Sequence, residues 1–428
     1  MTTPVADDLE AYRALARSWA EANLPPRAPG AELRAAHEIS PAQLASDRAL
    51  QQVVYEAGYF GISVPVEYGG QGLSRQHERI WGEESARYAV PAPGGIASHV
   101  TLGIVLPTIL THGSAAQKRE WIPKMLSGAE LWVQLLSEPG AGSDLAGLLT
   151  RATRDGDVWV ISGTKVWSSG AMSADFGICL ARSDWDAPKH RGLTWFKVPL
   201  HDERVTVRPV REINGSAEFC EEFLDDVVVD DGDVIGEVNG GWPIANTMLA
   251  IERSAGAGRV SVAAGPSRRR LAPDLVDLAT ARGLEHDRAV RQLIAKAHTN
   301  DYMQVELTRR LGEAMMAGKA DPTVASMIKL GVGINNPIRA ALAMEIAGRS
   351  GIAWPEGDTA GSMASVNFLN GRIMSIAGGS NQIQRNIISE RILGLPREPT
   401  VDSDKPFREV LRDARKWSRK DDQASPRP

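Results

Sequence analysis

Two cysteines, Cys179 and Cys220, are all that 428 residues contain. So sparse a supply excludes a disulfide framework and fits a reducing compartment, which makes the cytoplasm the expected location. The chain also lacks an apolar run approaching the roughly 18 residues of a membrane helix. Asp7, Asp8, Glu10 and Arg13 break up the stretch from Met1 to Pro25, so no signal peptide is expected there. Charge of neither sign dominates, and a net charge of −5 offers no electrostatic reason to bind nucleic acid. The eight histidines are scattered, and His77-Glu78 lacks the second histidine of a metalloprotease helix, so no metal site is expected. Internal repeats and low-complexity segments are missing too.

What is present has an ordinary globular composition, 43% hydrophobic and 24% charged, at a length that accommodates two or three domains. Asp7 or Asp8 can cap a first helix whose apolar face includes Leu9, Tyr12, Leu15 and Trp19. Ser40-Pro41 reads as an N-cap with proline at the first helical position, opening a helix towards Ala57. The glycines of Gly58–Gly72, with Pro65, then force a loop. From Leu131 the period becomes strand-like. Asp155-Gly156 marks a hairpin, and strands are expected at Val158–Ile161, Phe176–Ala181, Leu193–Val198, Val205–Val210 and Phe223–Val229. Beyond Gly240-Gly241-Trp242, apolar spacing marks helices at Ala245–Ala264, Arg288–Met316, Pro322–Ala347 and Met363–Ala377, with another from about Gln382. These changes of period divide the chain into a helical domain (1–130), a β domain (131–238), a helical bundle (239–400) and a partly disordered tail (401–428).

Two segments are suited to holding a flat, polar ligand. Gln134-Leu135-Leu136-Ser137-Glu138-Pro139-Gly140-Ala141-Gly142-Ser143-Asp144 is a turn rich in glycine and small hydroxyls, whose backbone can approach a ring or an anion closely. Gly163-Thr164-Lys165-Val166-Trp167-Ser168-Ser169-Gly170 alternates like a strand and ends on an indole and two serines. Gly256-Ala257-Gly258 and Gly331-Val332-Gly333 do not complete a dinucleotide fingerprint after a strand and are expected to ease helix packing. Arg268-Arg269-Arg270 is expected on a solvated face.

The two segments together resemble the flavin-binding signature of the acyl-CoA dehydrogenase family, and the α, β, α order resembles that family's architecture over nearly the whole chain. The resemblance implies an α+β fold: an N-terminal α-helical domain, a middle β-barrel domain and a C-terminal four-helix bundle. It also implies FAD, with Gln134, Leu136, Ser137, Gly142, Ser143, Trp167, Ser169, Ser380 and Gln382 at flavin-contacting positions. Ser137 would lie near the pyrimidine edge, Trp167 against the ring and Ser169 near flavin N5. Arg253 and Ser143 would meet the CoA substrate, and an electron-transfer flavoprotein would accept the electrons.

Dehydrogenating a thioester at Cα–Cβ needs a carboxylate for the α-proton and a hydride acceptor on the other face. Many family members carry that carboxylate as Glu in a Tyr-Glu-Gly-Thr-type turn. This chain reads Ile376-Ala377-Gly378-Gly379-Ser380-Asn381-Gln382, with Gly378 at the glutamate's position. A subset of the family places the base on the first long C-terminal helix, as Glu directly before Arg, and Leu249-Ala250-Ile251-Glu252-Arg253 resembles that motif. The implied base is therefore Glu252, facing the same substrate carbon as Gly378, whose N–H would still bind the thioester oxygen. Glu345 and Glu390 are weaker candidates, since they fall in segments used for flavin contact or packing. The missing side chain at Gly378 implies an acyl group that is branched, cyclic or otherwise bulky near Cα. Arg282–Asp287 stands where the family's Arg-x-x-Phe-Gly segment would be, and Glu345–Gly351 where others have a Gln-led turn, so no arginine is assigned to the FAD pyrophosphate. A homodimer or homotetramer is expected. An oxidase, a non-catalytic subunit of a hetero-oligomer and a DNA-binding relative are the alternatives.

Overall fold

The computed structural model describes residues 8–27, 39–258, 272–354, 356–400 and 402–414, leaving out the side chains of 254–258 and 316. The first helix, α1 (Leu9–Asn23), starts where Asp8 Oδ1 accepts the N–H groups of Glu10 and Ala11 at 3.0 and 3.1 Å. Its buried face is Tyr12, Ala16 and Ala20, so the stripe is narrower than expected and Leu15 points outward. Ser40 caps α2 (Pro41–Glu56) by accepting from Gln43 N at 3.1 Å. With α3 (Arg75–Ser85), these helices enclose a small core of Tyr12, Val54, Tyr59, Ile80 and Trp81. Next come α4 (Ile96–Val100), a π turn, α5 (Leu106–His112) and α6 (Ala115–Ser127).

The β domain holds β1 (Trp132–Leu135), β2 (Arg151–Asp155), β3 (Val158–Ser169), β4 (Phe176–Arg182), β5 (Leu193–Pro199), β6 (Val205–Pro209), β7 (Phe219–Asp230) and β8 (Val234–Ile235). They form one sheet in the order β6-β7-β3-β2-β4-β5-β8, with β1 parallel to β4. Strand β3 joins the two stretches expected as strand, Val158–Ile161 and Gly163–Gly170, into one, while β7 starts earlier than the expected Phe223–Val229. Register shifts at Ile161/Gly163 and Val166/Ser168 break the alternation that sequence reading relies on.

Helices α7 (Gly241–Gly258), α8 (Pro273–Ala281), α9 (Arg288–Met316), α10 (Ala325–Ala347), α11 (Thr359–Asn370) and α12 (Asn381–Ile387) make the C-terminal bundle. The expected continuation of α7 to Ala264 and the Arg268-Arg269-Arg270 cluster lie outside the described residues. Core boundaries do not follow the change from helix to strand. One core joins α4–α6, the sheet and the start of α7 through Ile109, Trp132, Phe196 and Met248. A second core, including Leu275, Ile294 and Leu342, holds α8 to α11 together. Residues 402–414, the start of the tail, pack against the β domain. Phe407, 2% exposed, covers the Arg182 guanidinium at 3.7 Å, and Arg408 N donates to Trp185 O at 3.1 Å. Residues 415–428 lie outside the description.

Candidate active site

The Gly-rich turn after β1 is held from beneath by a buried ion pair. Lys165 on β3 is fully buried and spends its ammonium on Glu138 Oε1 (2.9 Å), Leu136 O (3.0 Å) and Leu180 O (2.8 Å). Glu138 also accepts the N–H groups of Leu149 and Thr150 at 2.6 and 2.8 Å. Burial pushes the Glu138 carboxyl upward, but the Lys165 charge and these hydrogen bonds outweigh it and hold the group below its ordinary value. Both ends of the turn are thereby pinned, while Gly142 and Ser143 at its tip are exposed.

Trp167 sits at a register shift of β3 with a left-handed φ of +68°, which turns its side chain out of the sheet's alternation. It is 57% exposed and meets Phe219 in a T-shaped contact, at 5.8 Å and 84°. Ser169 is half-buried beside it, and Ser137 O accepts from Val166 N at 2.9 Å, tying the two segments together. Under the strand, Ser168 Oγ donates to Glu222 Oε2 at 2.8 Å, while Glu222 Oε1 is buried without a partner. Burial pushes Glu222 up to about 8. Because the fold binds this proton more tightly than the unfolded chain, stability falls between the ordinary carboxylate range and about pH 8, then levels off. Glu222→Gln is expected to lack that fall. Thermal melts of both proteins across this pH range would show it as a Tm gap widening with pH.

At the other side stands α7. A Cβ built on Gly378 would lie 3.7 Å from Glu252 Oε1 and 3.2 Å from Lys329 Cε, so the α7 carboxylate faces the glycine turn directly. Gly378 and Gly379 have φ of +67° and +92°, conformations that favour glycine. Glu252 is half-buried, and desolvation raises its carboxyl above the ordinary value, against the opposing pulls of Gln134, Arg253 and Lys329. Gln134 reaches it from β1, although the buried Gln134 Nε2 finds no partner at full hydrogen-bond geometry. Glu252, Gly378 and Gln134 are thus brought together. Arg253 is half-buried beside them, with Arg391 close enough for their charges to oppose. Ser380 caps α12 through Ile383 N at 3.3 Å and Gln382 is exposed; neither hydrogen-bonds the β-domain members of the set among the described residues.

Sequence reading passed over two residues here. Lys329, 2% exposed, donates to Met374 O at 2.6 Å, and Gln384 Nε2 donates to the carbonyls of Gly378 and Gly379, both at 3.3 Å. Lys329 lies far from the turn in sequence, whereas Gln384 follows it by five and six residues. Arg282 is engaged within the chain, donating to Asp358 Oδ2 at 2.6 Å. Among the described residues no cluster of histidine, cysteine or carboxylate could hold a metal, and no helix is long and apolar enough to cross a membrane.

A helical domain, a β domain and a C-terminal helical bundle in this order make up the acyl-CoA dehydrogenase fold. The chain belongs to that family: its N-terminal, middle and C-terminal domain families match residues 6–129, 134–227 and 239–393. It is 36% identical to the acyl-CoA dehydrogenase IpdE1 of Mycobacterium tuberculosis, over 91% of this chain and 99% of that protein. Among solved structures it resembles the Tcur3481-Tcur3483 steroid ACAD, with 29% identity and a TM-score of 0.73 over 91% of this chain and 98% of that one. The ChsE4-ChsE5 complex from M. tuberculosis is similar at 26% identity and a TM-score of 0.65, over 93% of this chain and 99% of that one. The protein is therefore an oxidoreductase of the acyl-CoA dehydrogenase type, and the family's members are flavoproteins.

Proposed function

We propose that the protein carries out FAD-dependent α,β-dehydrogenation of an acyl-CoA whose acyl group is branched, cyclic or otherwise bulky near Cα. The observation that carries this reading is the approach of Glu252 Oε1 to the empty position at Gly378. The residues present fit a flavin: an exposed indole at Trp167 and an uncrowded turn at Gly142. Gln134, Leu136, Ser137, Gly142, Ser143, Trp167 and Ser169 would hold it, with Ser380 and Gln382 serving from α12. When bound, FAD supplies the acceptor for the β-hydride. Glu252 removes the α-proton, and the N–H of Gly378 donates to the thioester oxygen as charge develops there. Arg253 and Ser143 receive the CoA portion. An electron-transfer flavoprotein then takes the electrons, in the cytoplasm.

Because Glu252 must be ionised to act, the rate is expected to fall as pH drops through its raised value, so the acid limb lies above the ordinary carboxylate range. A pH profile of anaerobic flavin reduction measures this. Gly378→Ala would add a methyl group into the acyl space, at a φ that costs an L-residue about 1–2 kcal/mol. It should lower kcat/KM for bulky thioesters relative to straight ones by about tenfold, the usual worth of one methyl in a tight pocket. Efficient turnover of short straight-chain thioesters alone would defeat the bulky-acyl reading.

The paired names Tcur3481-Tcur3483 and ChsE4-ChsE5 favour a second reading of the assembly, a hetero-oligomer in place of a homodimer or homotetramer. In that case the protein alone would bind little FAD and reduce it slowly, with both recovering on addition of a partner subunit.

A further inference from the structure

The glycine turn is held in three places. Ser375 Oγ donates to Gly333 O at 2.7 Å, Gln384 secures the carbonyls of Gly378 and Gly379, and Lys329 reaches Met374 O. Of the three, only Lys329 brings a charge. A buried ammonium costs several kcal/mol in desolvation unless something offsets it, and a methionine of similar length would fill the same space without that cost. Burial holds the Lys329 ammonium below its ordinary value, and among the described residues the carboxylate whose charge opposes this is that of Glu252. Lys329 Cε and Glu252 Oε1 both lie within 4 Å of one point, the Cβ position that Gly378 leaves empty.

Resting on the reading of Glu252 as base, we propose that Lys329 is a positioning residue for the acyl-CoA reaction, fixing the Gly378 turn through Met374 O and supplying the positive charge that favours Glu252 as a carboxylate. Proton abstraction moves negative charge from Glu252 to the thioester oxygen at the Gly378 N–H. One fixed cation beside both groups serves both stages: it stabilises the free carboxylate before transfer and the enolate-like oxygen during it. Among the described residues, the charged groups facing Glu252 are Arg253 from its own helix and Lys329 from α10. Gln134 from β1 is neutral, and the Gly378–Gly379 turn carries no charge. Arg253 lies next to Glu252 in sequence, so Lys329 is the long-range contributor, one that no contiguous motif would reveal.

The test uses full-length FAD-loaded protein and whichever thioester reduces it most rapidly. Lys329→Met and Lys329→Gln are expected to move the acid limb of anaerobic flavin reduction about one pH unit higher and to lower the plateau about tenfold, with KM little changed. Lys329→Arg should restore the limb. A readout free of activity is the pH dependence of Tm for native against Glu252→Gln, repeated in the Lys329→Gln background. Ionising Glu252 in the fold costs stability as pH rises, and that cost should grow when Lys329 is gone. An acid limb unmoved in Lys329→Met and Lys329→Gln, with lowered Tm alone, would reduce Lys329 to packing and overturn the proposal. So would an arginine variant no better than methionine. Near-native rates in Glu252→Gln would instead defeat the base reading itself, and the two failures are told apart by that single variant.

Discussion

Glu252→Gln is expected to keep its visible flavin band and to lose about 10²–10⁴-fold in the rate at which an acyl-CoA bleaches it. The amide has the carboxylate's shape but cannot accept the α-proton, so the loss falls on the chemical step and leaves KM nearly unchanged. Folding should not suffer. Glu252 is raised by desolvation, so a neutral side chain there removes the cost of a buried charge. Glu252→Asp pulls the carboxylate back by one methylene, and a misplacement of about 1 Å costs on the order of 10²-fold. Anaerobic stopped-flow absorbance on the three proteins would rank them native, Asp, Gln. Rates within a few-fold of native for the glutamine variant would send the search for a base back to Glu345 or Glu390.

Lys165→Met is expected to be the most damaging single change to the fold. Its ammonium is fully buried with all three donors engaged, and the Glu138 side chain is only 7% exposed. Removing the lysine strands a buried carboxylate and breaks two carbonyl contacts that brace the flavin turn, a loss of about 3–5 kcal/mol. Lys165→Met with Glu138→Gln should recover part of it, because no unpaired charge then remains. Denaturant midpoints measure the stability, and FAD retention on gel filtration reports whether the turn keeps its shape. If Lys165→Met matched native in both, the pair would not be what fixes the turn.

These residues show where sequence reading reaches and where it stops. Contiguous signals were readable: the turn from Gln134 to Asp144, the strand ending on Trp167, the caps at Asp8 and Ser40, and the bounds of α9. The α, β, α order came from hydrophobic period alone. Strand β3 was read as two pieces because the register shift at Ile161/Gly163 interrupts the alternation by which strands are recognised, and the start of β7 was missed. The helix α8 was passed over although Pro273 at its start and Asp274 in its first turn were there to signal it. Lys329 and the pair Glu138 with Lys165 escaped notice for a different reason: each has meaning only through a partner distant in the chain. The same holds for Phe407, whose ring lies on the Arg182 guanidinium. The pairing of Glu252 with Gly378 was anticipated from family resemblance, not from spacing.

The most direct test of the account is the visible spectrum of FAD-loaded native protein and Glu252→Gln, recorded anaerobically as a panel of straight, α-branched and cyclic acyl-CoA thioesters is added. A branched or cyclic thioester should bleach the flavin band of the native protein and leave that of the glutamine variant standing. Bleaching at equal rates in both proteins would contradict it.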